Sequence, residues 1–332
     1  YDELAGNRPS AAILYWSVIA SLGLVLALGA VLFLYGRYGP RAVDVFWEGQ
    51  SGGEPEVANL RGIAALERPT PVQRACYRFF AAAAALFVLQ IIAGVLTVHD
   101  FIGLTTFFGV DIAEALPLPI TRGWHLQLAL LWISACWIGA SIFVVAMTCR
   151  DEPLGQAHLV NLLFWLLIVM VAGMLAGVFL GPKGMLDGES WRLLGNQGWE
   201  FVELGKLWQV LLFAIFILWA LIIARGVRGV WHAGDAWVLP KWLLYAVLAI
   251  VALFLSAFVA KPTTNFVIAD FWRWAVIHMW AEAFFEVFTT VLLAYFMVIM
   301  GFVSHAAASR IVYLATLLFL GSAPIGISHN FY

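Results

Sequence analysis

Within one apolar stretch, HMWAEAFFE, a histidine and two carboxylates follow one another at four-residue steps: His278, Glu282 and Glu286. On an α-helix this spacing stacks them along one face, each step overshooting a turn by about 40°. Carboxylates in hydrocarbon are costly unless a cation, a proton or water meets them. A His and a Glu one turn apart can both reach one metal, and imidazole nitrogen with carboxylate oxygen suits non-haem iron. The residues by themselves leave three readings open: a metal site, a proton path, or a structural pairing.

A second candidate lies in TRGWHLQLALLW, where His125 follows Trp124 and stands near Arg122. One imidazole on a membrane helix can be an axial haem ligand, and a nearby guanidinium can pair with a propionate. Together with His99, His278 and His329, His125 makes four histidines in four segments, all toward one end of those segments. Ionisable groups at a common membrane depth usually mark a site or a path. His158, His232 and His305 fall at the opposite ends or in loops, where solvated or interfacial roles are expected. Cys76, Cys136 and Cys149 form no CxxC or CxxCH pattern. They support neither a zinc site nor covalent haem attachment, and read as small apolar residues.

The elements that must position these residues are membrane helices. The 332 residues are 63% hydrophobic and 11% charged with 16 Trp, and the mean hydropathy is +0.92, which places the chain among polytopic membrane proteins. Apolar runs at 11–35, 79–98, 123–148, 158–180, 206–225, 242–260, 274–300 and 311–332 predict about eight transmembrane helices in an all-α bundle. Alternate linkers carry 11 and 7 Lys plus Arg. The richer set is expected in the cytoplasm, which puts YDELAGNRPS and the four histidines toward the outer side of a multi-pass inner membrane protein. No basic stripe suggests nucleic acid, and no internal repeat suggests an inverted-repeat transporter. Residues 1–10 read as the end of an upstream extracytoplasmic domain, and 11–332 as an incomplete catalytic bundle with further helices downstream.

The stretches GVLTVH (94–99), TRGWHLQLALLW (121–132), NQGWEFVELGKLWQ (196–209), FWRWAVIHMWAEAFFEVF (271–288) and the final HNFY, with YDELAGNRPS at the start, together resemble the quinol-dependent nitric oxide reductases, relatives of the haem–copper oxidases. The resemblance implies a haem–copper-oxidase-like bundle with two haems b in the full-length protein and a non-haem iron. By the same resemblance His125 is an axial ligand of the low-spin haem b, and His278, Glu282 and His329 are iron ligands. Glu286 would tune the iron site or handle protons. Glu200 and Glu203 match an acidic pair that in the family lies near haem propionates and a calcium or water cluster. The proximal haem histidine is expected beyond Tyr332.

Two departures from the family pattern stand out. Asn330 replaces the second of two adjacent histidines that bind the iron, and an amide is a weaker iron ligand than imidazole. At the quinol site His99 and Phe107 match, but Gly103 stands where an acidic residue is expected. This combination resembles the nitric oxide dismutases, a subgroup of the reductases. Reduction of 2 NO to N2O and water consumes two electrons and two protons, whereas dismutation of 2 NO to N2 and O2 consumes neither, so a dismutase can lose its donor site. The expected substrate is therefore nitric oxide in a lipid bilayer, with quinol a partner in the reductase alternative. A proton-coupled transporter using His278, Glu282 and Glu286 is the remote alternative.

Overall fold

The computed structural model describes residues 69–99, 101–148, 152–197, 203–231, 238–261, 263–281, 283–300 and 302–328, with isolated positions between 19 and 37; the side chains at 273–278, 283–284 and 322–328 lie outside the description. Among the described residues there is no strand. Six helices among the described residues are long and apolar enough to cross a membrane, and His305–Gly321 is a shorter apolar helix. Of the expected first segment, 11–35, only Ile19, Leu22, Leu26 and Phe33 are described, and Arg37 just beyond it, all helical and exposed. In lipid a spanning segment must satisfy its own backbone, which helices do.

Helix α1 runs Pro71–Thr97 and α2 Leu118–Thr148. α1 starts eight residues before the apolar run because its start is set by capping rather than hydropathy. The Thr70 side chain accepts from the Gln73 N–H, the Gln73 side chain accepts from the Thr70 N–H, and Pro71 follows at the first turn. The early Arg78 is used between helices, its Nη1 donating to Asn161 Oδ1 at 2.9 Å. α1 and α2 form the most extensive helix pair described. Gly139 permits this, since a Cβ there would lie 2.8 Å from the Phe79 Cβ.

Helix α3 spans Gln156–Leu180 and α4 Lys206–Trp231. α5 spans Leu239–Phe254 and continues as a 3-10 turn over Leu255–Phe258. Helix α6 (Phe266–Val276) passes into π-helix at Ile277–Ala281 and again at Ala283–Phe288, then into α7 (Thr289–Ile299). α8 is His305–Ser328. An aromatic core braces the π-helical stretch. Trp280 and Phe288 are buried; Trp280 meets Phe254 at 5.7 Å and Phe216 at 6.1 Å, and Phe288 meets Trp219 edge-on at 5.3 Å between ring centroids.

The π-helical winding corrects one expectation. His278 and Glu286 do not ride a regular α-helix: each lies in a π-helical stretch, and i→i+5 turns rotate less per residue than α turns. Glu282 lies outside the described residues. The 40° overshoot per four-residue step therefore does not apply to this stretch. π-Helical turns inside α-helices occur frequently at functional sites.

Candidate functional site

One end of the bundle gathers the C-terminal ends of α1, α3 and α5 with the N-terminal ends of α2 and α4. His99, Arg122, His125 and Glu203 all belong to this end. The loop after α3 closes over it, with a short helix at Gly188–Leu194. Its backbone lies directly on α3: a Cβ at Gly177 would fall 1.7 Å from the Leu194 carbonyl oxygen, and one at Gly173 would collide with the Trp208 ring. Three indoles tie the loop and helices together. Trp208 Nε1 donates to Leu194 O at 2.8 Å, Trp191 Nε1 to Asn196 O at 3.1 Å, and Trp124 Nε1 to Leu175 O at 2.9 Å.

That closure delivers Glu203 to Arg122. Arg122 Nη1 lies 2.8 Å from Glu203 Oε1, and Asn196 Nδ2 donates to Oε2 at 3.2 Å. The Glu203 carbonyl accepts from Gln127 Nε2 at 2.7 Å. Gln127 is buried, and its Oε1 has no hydrogen-bond partner among the described residues. A calcium ion or a haem propionate at this place would have to share Glu203 with Arg122 and Asn196. Glu200 lies outside the described residues, so the expected acidic pair is seen only in its second member.

His125 is held from α1. Its Nδ1 is 3.0 Å from the carbonyl oxygen of Gln90. A carbonyl only accepts, so Nδ1 carries the proton and donates, and Nε2 keeps its lone pair. A lone pair fixed in this way is what an axial metal ligand requires. On this observation the residues present fit a haem at His125.

Of the expected second metal centre little falls on the described residues. His278 is described in backbone alone, Glu282, His329 and Asn330 lie outside the described residues, and Glu286 is exposed. Among the described residues no three His, Cys, Asp or Glu side chains are grouped to hold a metal.

At the expected quinol site His99 is buried, whereas Phe107, on a short helix at Leu104–Phe108, is 80% exposed. Gly103 adopts φ 71°, the left-handed region, with nothing within 4 Å of a Cβ position. The backbone itself accounts for a glycine where an acid was expected. His158 is exposed, as expected for a solvated end, and Cys76 is buried in the core. Gln90 carries no signal of its own in the sequence. Gln127 and Trp132 lie within TRGWHLQLALLW, Asn196 within NQGWEFVELGKLWQ and Gly94 within GVLTVH, stretches that carry the resemblance without singling these residues out.

A family model described as Cytochrome C and Quinol oxidase polypeptide I matches residues 74–332. Among curated proteins the chain is similar to a nitric oxide reductase subunit of Stutzerimonas stutzeri, 23% identical over 255 residues, covering 76% of this chain and 51% of the relative. The chain thus spans about half the length of that relative.

Proposed function

The chain belongs to the cytochrome c and quinol oxidase polypeptide I family, and from that membership we propose that it is the part of a membrane oxidoreductase that converts nitric oxide. The observation that carries the reading is the His125 imidazole, held through Nδ1 by the Gln90 carbonyl so that Nε2 faces away as a donor. In this reading His125 holds a low-spin haem b, and Arg122 and Glu203 set the charge beside it. His278, Glu282 and His329 hold a non-haem iron, with Asn330 in place of a further histidine. When bound, the haem and iron supply the electron chemistry on NO. The chain's own residues bind and orient these groups, and Glu286 is the candidate to move or hold a proton beside the iron.

Between the two products we favour dismutation of 2 NO to N2 and O2. Asn330 weakens or opens one iron position, and Gly103 removes the acid of the donor site. Loss of an electron-donor site is compatible with a reaction that takes no electrons. The second reading is a quinol-dependent reductase forming N2O; the similarity to a nitric oxide reductase subunit favours the reductase part of it.

The discriminating experiment supplies isotopically labelled NO anaerobically, without a donor, to membranes carrying the full-length protein, and follows the gases by mass spectrometry. Labelled N2 with matching O2 is expected. N2O that forms only when quinol is added would establish the reductase reading instead. If Asn330→His leaves the product spectrum unchanged, Asn330 does not have the role assigned to it. A well-folded, haem-free protein would revive the proton-coupled transporter.

A further inference from the structure

Gln90 receives two groups from α2. Its backbone carbonyl faces His125 Nδ1 at 3.0 Å, and its side-chain Oε1 accepts from Trp132 Nε1 at 3.2 Å. His125 and Trp132 are seven residues apart, two turns along one face of α2. In an α-helix the carbonyl of residue i meets the N–H of residue i+4, so the residue closing the turn over the Gln90 carbonyl is Gly94. A Cβ at Gly94 would stand 2.9 Å from both Cε1 and Nδ1 of His125. That contact is with a ring already anchored by a hydrogen bond, not with the free end of a flexible chain. Glycine at this position therefore leaves the side of a helical carbonyl open to an imidazole from the neighbouring helix.

We infer that Gly94, Gln90 and Trp132 form a seat that fixes the tautomer and orientation of His125, and so are positioning residues for the haem-ligating nitrogen. Gly94 admits the ring, the Gln90 carbonyl takes the Nδ1 proton, and Trp132 clamps the Gln90 side chain so that this turn of α1 keeps its register against α2. Trp132 is itself braced edge-on by Phe87, with ring centroids 5.0 Å apart. The inference rests on the reading of His125 as a haem ligand.

The test uses full-length protein in membranes or detergent and reads the low-spin haem signal in optical and electron paramagnetic resonance spectra together with its midpoint potential. His125→Ala is expected to lose the low-spin haem. Gly94→Ala is expected to lower haem b affinity on the order of tenfold to a hundredfold, as loss of an outer support does at metal sites. Trp132→Phe keeps an aromatic ring beside Phe87 and removes only the N–H, and is expected to shift the midpoint potential while the haem stays bound. If His125→Ala loses the haem while Gly94→Ala and Trp132→Phe leave spectrum and potential unchanged, the seat is wrong and the ligand reading stands. If His125→Ala keeps an unaltered low-spin haem, the ligand reading fails and the seat falls with it. Should Gly94→Ala not accumulate, Trp132→Phe decides alone: a shifted potential supports the seat, and an unshifted one overturns it.

Discussion

Arg122 and Glu203, 81 residues apart in sequence, meet at 2.8 Å, and Glu203 does so from a left-handed backbone conformation, φ 56°. A β-carbon in that region costs about 1–2 kcal/mol, so the loop maintains strain in order to present this carboxylate. The strain and the contact can be separated by substitution. Glu203→Ala keeps the strain and loses both Arg122 and Asn196. Glu203→Gly loses the same contacts but relieves the backbone. Glu203→Gln removes the charge and one of the two acceptor oxygens, keeping an acceptor for Arg122 while the Asn196 amide must turn to accept from the new N–H; the partner guanidinium is 60% exposed, so the lost charge itself costs less than about 1 kcal/mol. Thermal unfolding in detergent should rank Gln as mildest, Gly next and Ala worst. Equal effects for Ala and Gly would show that no strain resides at Glu203.

Glycines on the membrane helices divide by what a methyl group would meet. At Gly177 it would strike the backbone of Leu194, which cannot step aside without moving the loop that carries Glu203. Gly177→Ala should cost about 1–3 kcal/mol, as overpacking does, and should loosen hydrogen-exchange protection over 188–205. At Gly229, on α4, nothing lies within 4 Å. There Gly→Ala should be neutral or stabilising by about 0.5–1 kcal/mol. Matching losses at the two positions would contradict this assignment of close packing.

The sequence revealed what depends on hydropathy and little of what depends on close approach. Apolar length found α1 to α5, α7 and α8 because a spanning helix needs an unbroken run, but α6 (Phe266–Val276) lies almost entirely before the run expected at 274–300. Apolar length placed the start of α1 eight residues late because Thr70, Pro71 and Gln73 act through hydrogen bonds and φ, not through apolarity. His125 and Arg122 stood out since charged or ligating groups are rare in such runs. Gln90 did not, because its contribution to His125 is a backbone carbonyl, which every residue has. The winding at 277–281 and 283–288 was likewise invisible. A pattern at i, i+4 and i+8 fits α-helical expectation, and only packing of Trp280 and Phe288 into the aromatic core accompanies the departure from it.

Glu189 and Arg192, one turn apart on the short helix of the loop after α3, form a two-pronged ion pair, with Arg192 Nε 2.7 Å from Glu189 Oε2. The hydrogen bond from Arg192 and its charge hold the Glu189 carboxyl below its ordinary range. A carboxyl depressed on folding contributes stability that is present above its unfolded value, near 4.3, and lost as pH falls through the folded value. Protection factors over 188–194, with the intrinsic pH dependence of amide exchange divided out, should therefore be flat from neutral pH down to about 4.3 and fall below it. Glu189→Gln should abolish that acid step while leaving the neutral-pH exchange little changed, since the pair is exposed.

Inside the bundle, Trp219 Nε1 donates to Ser141 Oγ at 3.0 Å, joining α4 to α2 where both side chains are fully buried. Ser141→Ala leaves an indole N–H with no partner in an apolar setting. Interhelical hydrogen bonds in membranes are worth about 0.6 kcal/mol on average and up to roughly 1.7, and an orphaned donor falls at the upper part of that range. Ser141→Ala combined with Trp219→Phe removes donor and acceptor together. In unfolding measurements the double variant should lose less than the two single losses summed; strict additivity would mean the hydrogen bond contributes nothing.

In the proposed reading, in which Gly103 stands where a quinol site would carry an acid, one substitution tests whether that site can be restored. At φ 71° an acidic side chain is possible sterically, since nothing crowds the Cβ position, but it carries the backbone penalty of about 1–2 kcal/mol. Asparagine, which tolerates this region better than most residues, should be accepted at less cost than glutamate. Gly103→Glu is therefore expected to lower the melting temperature more than Gly103→Asn. It should also fail to confer quinol-dependent N2O formation, because Phe107 stands 80% exposed, away from the buried surroundings of His99. Quinol-dependent N2O from the single Gly103→Glu variant would show instead that the missing acid was the sole barrier, and that the backbone at this position adapts to whichever residue it carries.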